Sequence, residues 1–438
     1  MIGGSKKAIY LIFFIILLDL VGFGIIIPIL PFYVRSFGVS DVAIGLLAAS
    51  YSLTQFISAP FLGSLSDSWG RRPIIMISLL GSSIAWFFFG IAEEIASVNI
   101  VFGLIVLFSA RMFAGAMGGN ISAANAYIAD VTTEEDRAKY LGLMGAAFAV
   151  GFIIGPALGG FLATEYIIGI VGSLLPSVIP ITPYSLPSFA AALLSLSGMV
   201  LCAIYLPETN RKRDVKRNKN SLKNILEPLK NDSIRGIVIV ALLGAIAFSG
   251  VTVMFVPFVA DIYGYSPAVA GFLLTYVGII SAITHGSIAP KSIEKYSSMD
   301  VAILSSFGVI LSMFLIPFCP AIGNSYFVRG IGPYLLGVIG LDEIILLLVV
   351  GIFAISIACH MVSLTTLISL TASEDQQGGA FGVFQSAGSL GRTFGPPIMA
   401  LLYIIAIWSP FVVGSLIFIP VILALKKIRL GMDSKVSG

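Results

Sequence analysis

Residues 31–47 read PFYVRSFGVSDVAIGLL, and residues 257–273 read PFVADIYGYSPAVAGFL. At a shift of 226 positions they share Pro31/Pro257, Phe32/Phe258, Gly38/Gly264, Ser40/Ser266 and Gly45/Gly271 at identical spacing. A second pair, EEDRAKYLGLMGAAFAVGFIIGP (134–156) and EDQQGGAFGVFQSAGSLGRTFGP (374–396), matches at a shift of 240. There Glu134/Glu374, Gly142/Gly382, Gly151/Gly391, Gly155/Gly395 and Pro156/Pro396 coincide. The chain therefore contains one long internal repeat, and the fold has to be two copies of a single architecture.

Composition says what that architecture is made of. Of 438 residues, 58% are hydrophobic and 11% charged, whereas soluble domains carry about 25% charged residues. The mean hydropathy is +1.02. A membrane-spanning helix needs about 20 apolar residues, and such runs fall near 8–34, 43–65, 73–92, 98–129, 139–164, 185–206, 235–260, 267–289, 300–319, 342–371, 378–405 and 408–425. The fold class is an all-α polytopic membrane protein with twelve transmembrane helices. Two further apolar stretches, 166–182 and 327–341, are short and rich in glycine or proline, and are read as outer loops. The run after Lys6 and Lys7 continues to Val34, too long for the core of a signal peptide, so it is a first membrane helix. Cys202, Cys319 and Cys359 lie in apolar segments without metal-ligand spacing.

Charge sets the orientation. With an even number of spans and both termini inside, 21 of the 25 lysines and arginines fall in inner segments, and only Arg35 and Arg329 fall in outer loops. The positive-inside rule expects this asymmetry. The long hydrophilic segment 207–235, containing RKRDVKRNKN (211–220), divides the chain into a six-helix half at 1–206 and another at 236–438. It reads as a basic cytoplasmic linker, with contact to anionic lipid headgroups as the alternative. Two halves running in the same direction, six spans apart, are the architecture of alternating-access carriers that bind substrate at the midplane.

Four motifs sharpen this. GSLSDSWGRRP (63–73) places Asp67 beside Arg71 and Arg72 on a short glycine-bounded connection, a charge cluster suited to latching an inner gate. It resembles the loop signature of the major facilitator superfamily. ARMFAGAMGGNISAANAYIADVT (110–132) resembles the fourth-helix motif of that family's drug–proton antiporters, and GFIIGPALGG (151–160) resembles their fifth-helix antiporter motif. LDLVGFGIIIPILPFY (18–33) is similar to the first helix of tetracycline-efflux carriers. Ser68 stands where the loop signature carries a basic residue. Ser281 stands where tetracycline carriers resemble one another in a histidine, with His285 one turn later, so the substrate stays open.

Charges inside spans are the candidates for coupling. Asp19 lies twelve residues past Lys7, about 18 Å up the first helix and near the middle of a ~30 Å core. Arg111 is roughly 17 Å into the fourth span. An arginine at that depth does not deprotonate and normally faces a cavity or a partner. Asp19 is read as the proton-coupling carboxylate, with Arg111 modulating it as the resemblance implies; a permanent Asp19–Arg111 pair and binding of a cationic substrate by Asp19 are the alternatives. Arg392 lacks support from its repeat partner Phe152. In the antiporter motif, Gly151, Gly155, Gly159 and Gly160 permit close helix packing and Pro156 a bend. The resemblance implies that this bend keeps proton and substrate from leaking together. Candidate substrate contacts are Tyr51, Gln55, Asn120, Asn125, Tyr276, His360 and Gln385, polar or aromatic residues deep in spans.

No nucleotide-binding loop and no metal-ligand set is legible, so the expectation is a non-enzymatic transporter without cofactor, powered by an ion gradient. The leading reading is proton-coupled export of amphiphilic small molecules or drugs by a monomer. It would sit in the cell membrane among lipids, with both termini cytoplasmic, and would have no nucleic-acid partner. A metabolite importer or facilitator of the same fold, and a non-transporting membrane sensor, are the other readings.

Overall fold

A computed structural model describes residues 3–176, 179–209, 227–323, 340–372 and 377–436. In order the helices are α1 (Gly3–Ser36), α2 (Val42–Trp69), α3 (Arg71–Val98), α4 (Ile100–Met117), α5 (Asn120–Val131), α6 (Glu134–Leu162), α7 (Glu165–Leu174) and α8 (Ser185–Tyr205). There follow α9 (Asp232–Tyr263), α10 (Pro267–Ile283), α11 (Ala289–Tyr296), α12 (Ser298–Leu315), α13 (Cys319–Gly323), α14 (Leu341–Thr371), α15 (Gln377–Ile405) and α16 (Ser409–Val436).

Eleven helical segments among the described residues are long and apolar enough to cross a membrane. Three of them are composite. The α4–α5 segment Ile100–Val131 is interrupted at Gly118 and Gly119, Pro267–Tyr296 contains a π-helical turn at Thr284–Ile288, and Ser298–Ile322 contains a 3-10 turn at Ile316–Phe318. The twelfth span is α15, 29 residues long, whose glycines, prolines and Arg392 keep it less apolar than the rest. The all-helical, twelve-span reading of the sequence stands. One expectation needs correction: 166–182 is not simply a loop, because Glu165–Leu174 forms a ten-residue helix. At 1.5 Å per residue it is about 15 Å long, too short to cross a bilayer, and Pro176 and Pro180 follow it. Residues 327–339 and the basic run 211–220 lie outside the described residues.

The structure divides into two compact units, Met1–Arg217 with Val259–Gly278, and Asn218–Phe258 with Ile279–Gly438. In the first unit α1 packs along α6 and α8, α3 along α4 and α8, and α2 along α4. In the second, α12 is held between α14 and α16. Surfaces away from these contacts carry large apolar side chains, among them Phe87, Phe88, Leu304 and Leu423, as a lipid-facing surface requires.

Glycines set the closest approaches. A Cβ on Gly151 would lie 2.8 Å from the Leu20 Cβ, and one on Gly155 2.6 Å from the Gly24 Cα, so α6 and α1 touch backbone to backbone. The second unit repeats the device: a Cβ on Gly250 of α9 would meet the Gly395 carbonyl of α15 at 2.7 Å. The sequence repeat is also visible in the turns. Gly38, after α1, and its counterpart Gly264, after α9, have φ of +66° and +68°, the left-handed conformation that glycine adopts at least cost.

Candidate functional site

Asp19 sits midway along α1, half-buried. Its Oδ2 accepts a hydrogen bond from Asn120 Nδ2 at 3.1 Å, and its Oδ1 accepts one from Ser195 Oγ at 3.1 Å. Asn120 is the first residue of α5, placed there by the break at Gly118–Gly119, and Ser195 lies on α8. Three helices thus converge on one carboxylate. Two neutral donors compensate part of its desolvation without neutralising it.

Arg111 is 4% exposed, and it does not pair with Asp19: none of the ion pairs among the described residues includes it. Its guanidinium carbon lies 4.7 Å from the Tyr51 ring centroid, 5.5 Å from Phe23 and 5.6 Å from Trp86. An aromatic cage of this kind stabilises a cation by about 0.5–2 kcal/mol per favourable contact. The charge is thereby kept in the interior without being cancelled by a carboxylate. Gln55 completes this wall, donating from Nε2 to the Gly118 carbonyl at 3.2 Å.

The predicted charge cluster at 63–73 is built as an ion-pair network. Arg71 meets Asp67 at 2.6 Å and Asp130 at 3.0 Å, and also donates to Ser66 Oγ at 2.7 Å. Arg72 forms no such pair among the described residues; its guanidinium donates to the carbonyls of Cys202 and Ala203 at the end of α8, where the helix dipole favours a cation. The Glu208 carboxylate accepts the backbone N–H groups of Arg71 and Arg72 at 3.0 and 3.1 Å, satisfying the exposed N-terminus of α3.

The glycine-rich run 151–160 is closely packed against its neighbours. Besides the α1 contacts, a Cβ on Gly160 would approach the Ala268 carbonyl at 2.8 Å. Thr275 Oγ1 donates to the Ile153 carbonyl, 3.3 Å away. Pro156 sits inside a continuous α6.

The remaining predicted contacts are dispersed. Asn125 lies on α5 and Tyr276 on α10, both half-buried. His360 is fully buried on α14, with Nδ1 3.1 Å from Ser306 Oγ and its ring 5.3 Å from that of Phe418. Gln385 is exposed on α15, as is Arg392, which donates to Ser389 Oγ at 2.9 Å. Structure brings Asp19 together with Asn120, and Arg111 with Tyr51. Sequence reading missed Ser195, Phe23, Trp86, Asp130 and Glu208. Asp130 and Glu208 are acids at the ends of spans, a signal that was available, whereas a serine or an aromatic in an apolar helix carries none.

The model of the Major Facilitator Superfamily matches residues 12–341. Tetracycline resistance protein, class C, of Escherichia coli is 28% identical over 436 residues, 97% of each chain. Multidrug resistance protein 1 of Bacillus subtilis (strain 168) is 29% identical over 394 residues, 89% of this chain and 88% of that one. Among solved structures, the human organic anion transporter MFSD10 (TETRAN) shares the fold, with a TM-score of 0.64 and 21% identity over 96% of this chain and 99% of that one. With repeat, glycine packing, mid-helix carboxylate and family match in agreement, the chain belongs to the Major Facilitator Superfamily, as a multi-pass membrane transporter of small molecules and not an enzyme.

Proposed function

We propose that this transporter exports amphiphilic small molecules or drugs in exchange for protons, that Asp19 is the coupling group, and that no cofactor takes part. The observation that carries the reading is the mid-helix carboxylate held by Asn120 and Ser195, close in the fold to an arginine caged by aromatic rings instead of neutralised. A proton on Asp19 removes its charge, and alternation of the two halves exposes it to one aqueous phase and then the other. Arg111 contributes a permanent positive field. The cage residues Phe23 and Tyr51, with Gln55, offer apolar and amide surface to a planar, largely apolar cargo. Asn125, Tyr276, His360 and Gln385 are the other proposed cargo contacts, and the Asp67–Arg71–Asp130 network, with Arg72, is the proposed inner gate. Gly151, Gly155, Pro156, Gly159 and Gly160 are the proposed seal against leakage. The chain works in the cell membrane as a monomer, with its termini and the 207–235 linker in the cytoplasm. The relatives' resistance to tetracycline and multiple drugs supports this cargo class.

The test is Asp19→Asn in proteoliposomes under an imposed pH gradient, with tetracycline and an amphiphilic dye as probes. Uphill accumulation is expected to vanish while exchange between equal compartments survives. Accumulation at the wild-type level would remove Asp19 as the coupling group.

A further inference from the structure

The Ser36 end of α1 carries an ion-pair cluster for which proton coupling has no use. Arg35 Nε and Nη2 each lie 2.8 Å from an oxygen of Asp41, while Nη1 and Nη2 lie 2.6 and 2.8 Å from the two oxygens of Asp261. One guanidinium thus grips two carboxylates, each by two hydrogen bonds, a geometry that its planar fork allows and an ammonium does not. Asp41 immediately precedes α2, and Asp261 lies in the last turn of α9.

The sequence repeat gives this cluster its meaning. At the shift of 226, Arg35 and Asp261 are the same position in the two halves, and the turns that follow them have matching left-handed glycines. Where two copies of a fold meet about a pseudo-twofold axis, residues near the axis face their own counterparts. Like charges there would repel; an arginine in one copy and an aspartate in the other turn the self-contact into an attraction. The end of α1 is itself rigid. Tyr33 Oη donates to the Phe89 carbonyl at 2.8 Å and accepts from Glu93 N at 2.9 Å, and its ring stacks on Tyr184 with centroids 4.7 Å apart. Along the same compact unit, residues 268–278 lie against α6, with Gly271 over Gly160 and Gly278 over Phe152.

We propose that Arg35, Asp41 and Asp261 form the outer latch of the carrier, a clasp between the symmetry-related ends of the first and seventh spans that has to open before the outward-facing arrangement forms. The latch rests on the alternating-access reading and is independent of which group carries the proton. Arg35 and Asp261 are positioning residues: they hold the seam formed by α6 and α10, in which Thr275 lies.

The test places a cysteine at Thr275, leaves the buried native cysteines in place, and measures labelling by a membrane-impermeant maleimide from outside intact cells. R35E and D261R are each expected to raise labelling about 3- to 10-fold, the range for losing one or two partly exposed ion pairs. The swap R35E/D261R, which again sets an arginine against two carboxylates, is expected to return labelling to near the unswapped level. R35K, which keeps charge without the double grip, falls between. D261N provides the same reading if a charge reversal fails to fold. Unchanged labelling in the single variants and D261N, or a swap as reactive as the singles, overturns the latch. The readout needs neither cargo nor pH gradient. A protein that shows the labelling pattern but no proton-driven accumulation therefore refutes the export reading and leaves the latch standing.

Discussion

The two halves use one packing scheme for different chemistry. In the first, α6 meets α1 through Gly151, Gly155 and Gly24; in the second, α15 meets α9 through Gly391, Gly395 and Gly250. Yet the polar interior of the first half holds a carboxylate and an arginine, while the matching interior of the second holds a histidine and serines: His360, Ser306, Ser363 and Ser356. Asp300, Asp342 and Glu343 of the second unit lie in the first turns of their helices. Backbone contact is retained in both copies because the two helix pairs have the same geometric task. Among the described residues, Asp19 and Arg111 of the first half are charges in the helix interior, while Arg392 of the second is exposed; each ion buried in a membrane costs several kcal/mol.

The widest difference is expected between equivalent polar positions. Asp19→Asn should abolish pH-driven accumulation, whereas His360→Asn, which changes the repeat counterpart of Asn120, should lower the rate by no more than about 5-fold, as for loss of one hydrogen bond of about 1 kcal/mol. Uncoupled exchange in His360→Asn would break the assignment of coupling to the first half alone. The glycines should behave alike instead. Gly155→Ala and Gly395→Ala each force a methyl group into a backbone contact, at a cost of about 1–3 kcal/mol. Thermal unfolding in detergent should show both variants melting lower by similar amounts. A silent Gly395→Ala would mean that the second half yields where the first cannot.

Next comes the comparison of ion pairs. Arg71, side chain 11% exposed and shared by Asp67 and Asp130, should be intolerant of reversal: Arg71→Glu is expected to fold and to lose most turnover. Wild-type transport in both Arg71→Glu and Asp67→Lys would leave the network no gating role. The smallest effect belongs to Asp300–Arg429, a 2.7 Å pair with both side chains nearly half exposed. Asp300→Asn should change stability by less than about 1 kcal/mol, read as a small shift of melting temperature that shrinks further at high salt.

The sequence by itself determined the membrane class, the number of spans, the internal repeat and the positions of Asp19, Arg111, Asp67 and Arg71. These follow from hydropathy, period and the rarity of charge in apolar runs, all of which are properties of residues in order. Only the tertiary structure decided who meets whom. Arg111 looked like a partner for Asp19, but the break after Gly118 and Gly119 brings Asn120 to the carboxylate, and Phe23, Tyr51 and Trp86 close around the guanidinium instead. Arg35 counted in the sequence as an exception to the charge rule, and the fold makes it the hub of two carboxylates 6 and 226 positions away. Partners are set by how helices rotate and tilt when their small residues make contact, and a one-dimensional pattern does not contain those rotations.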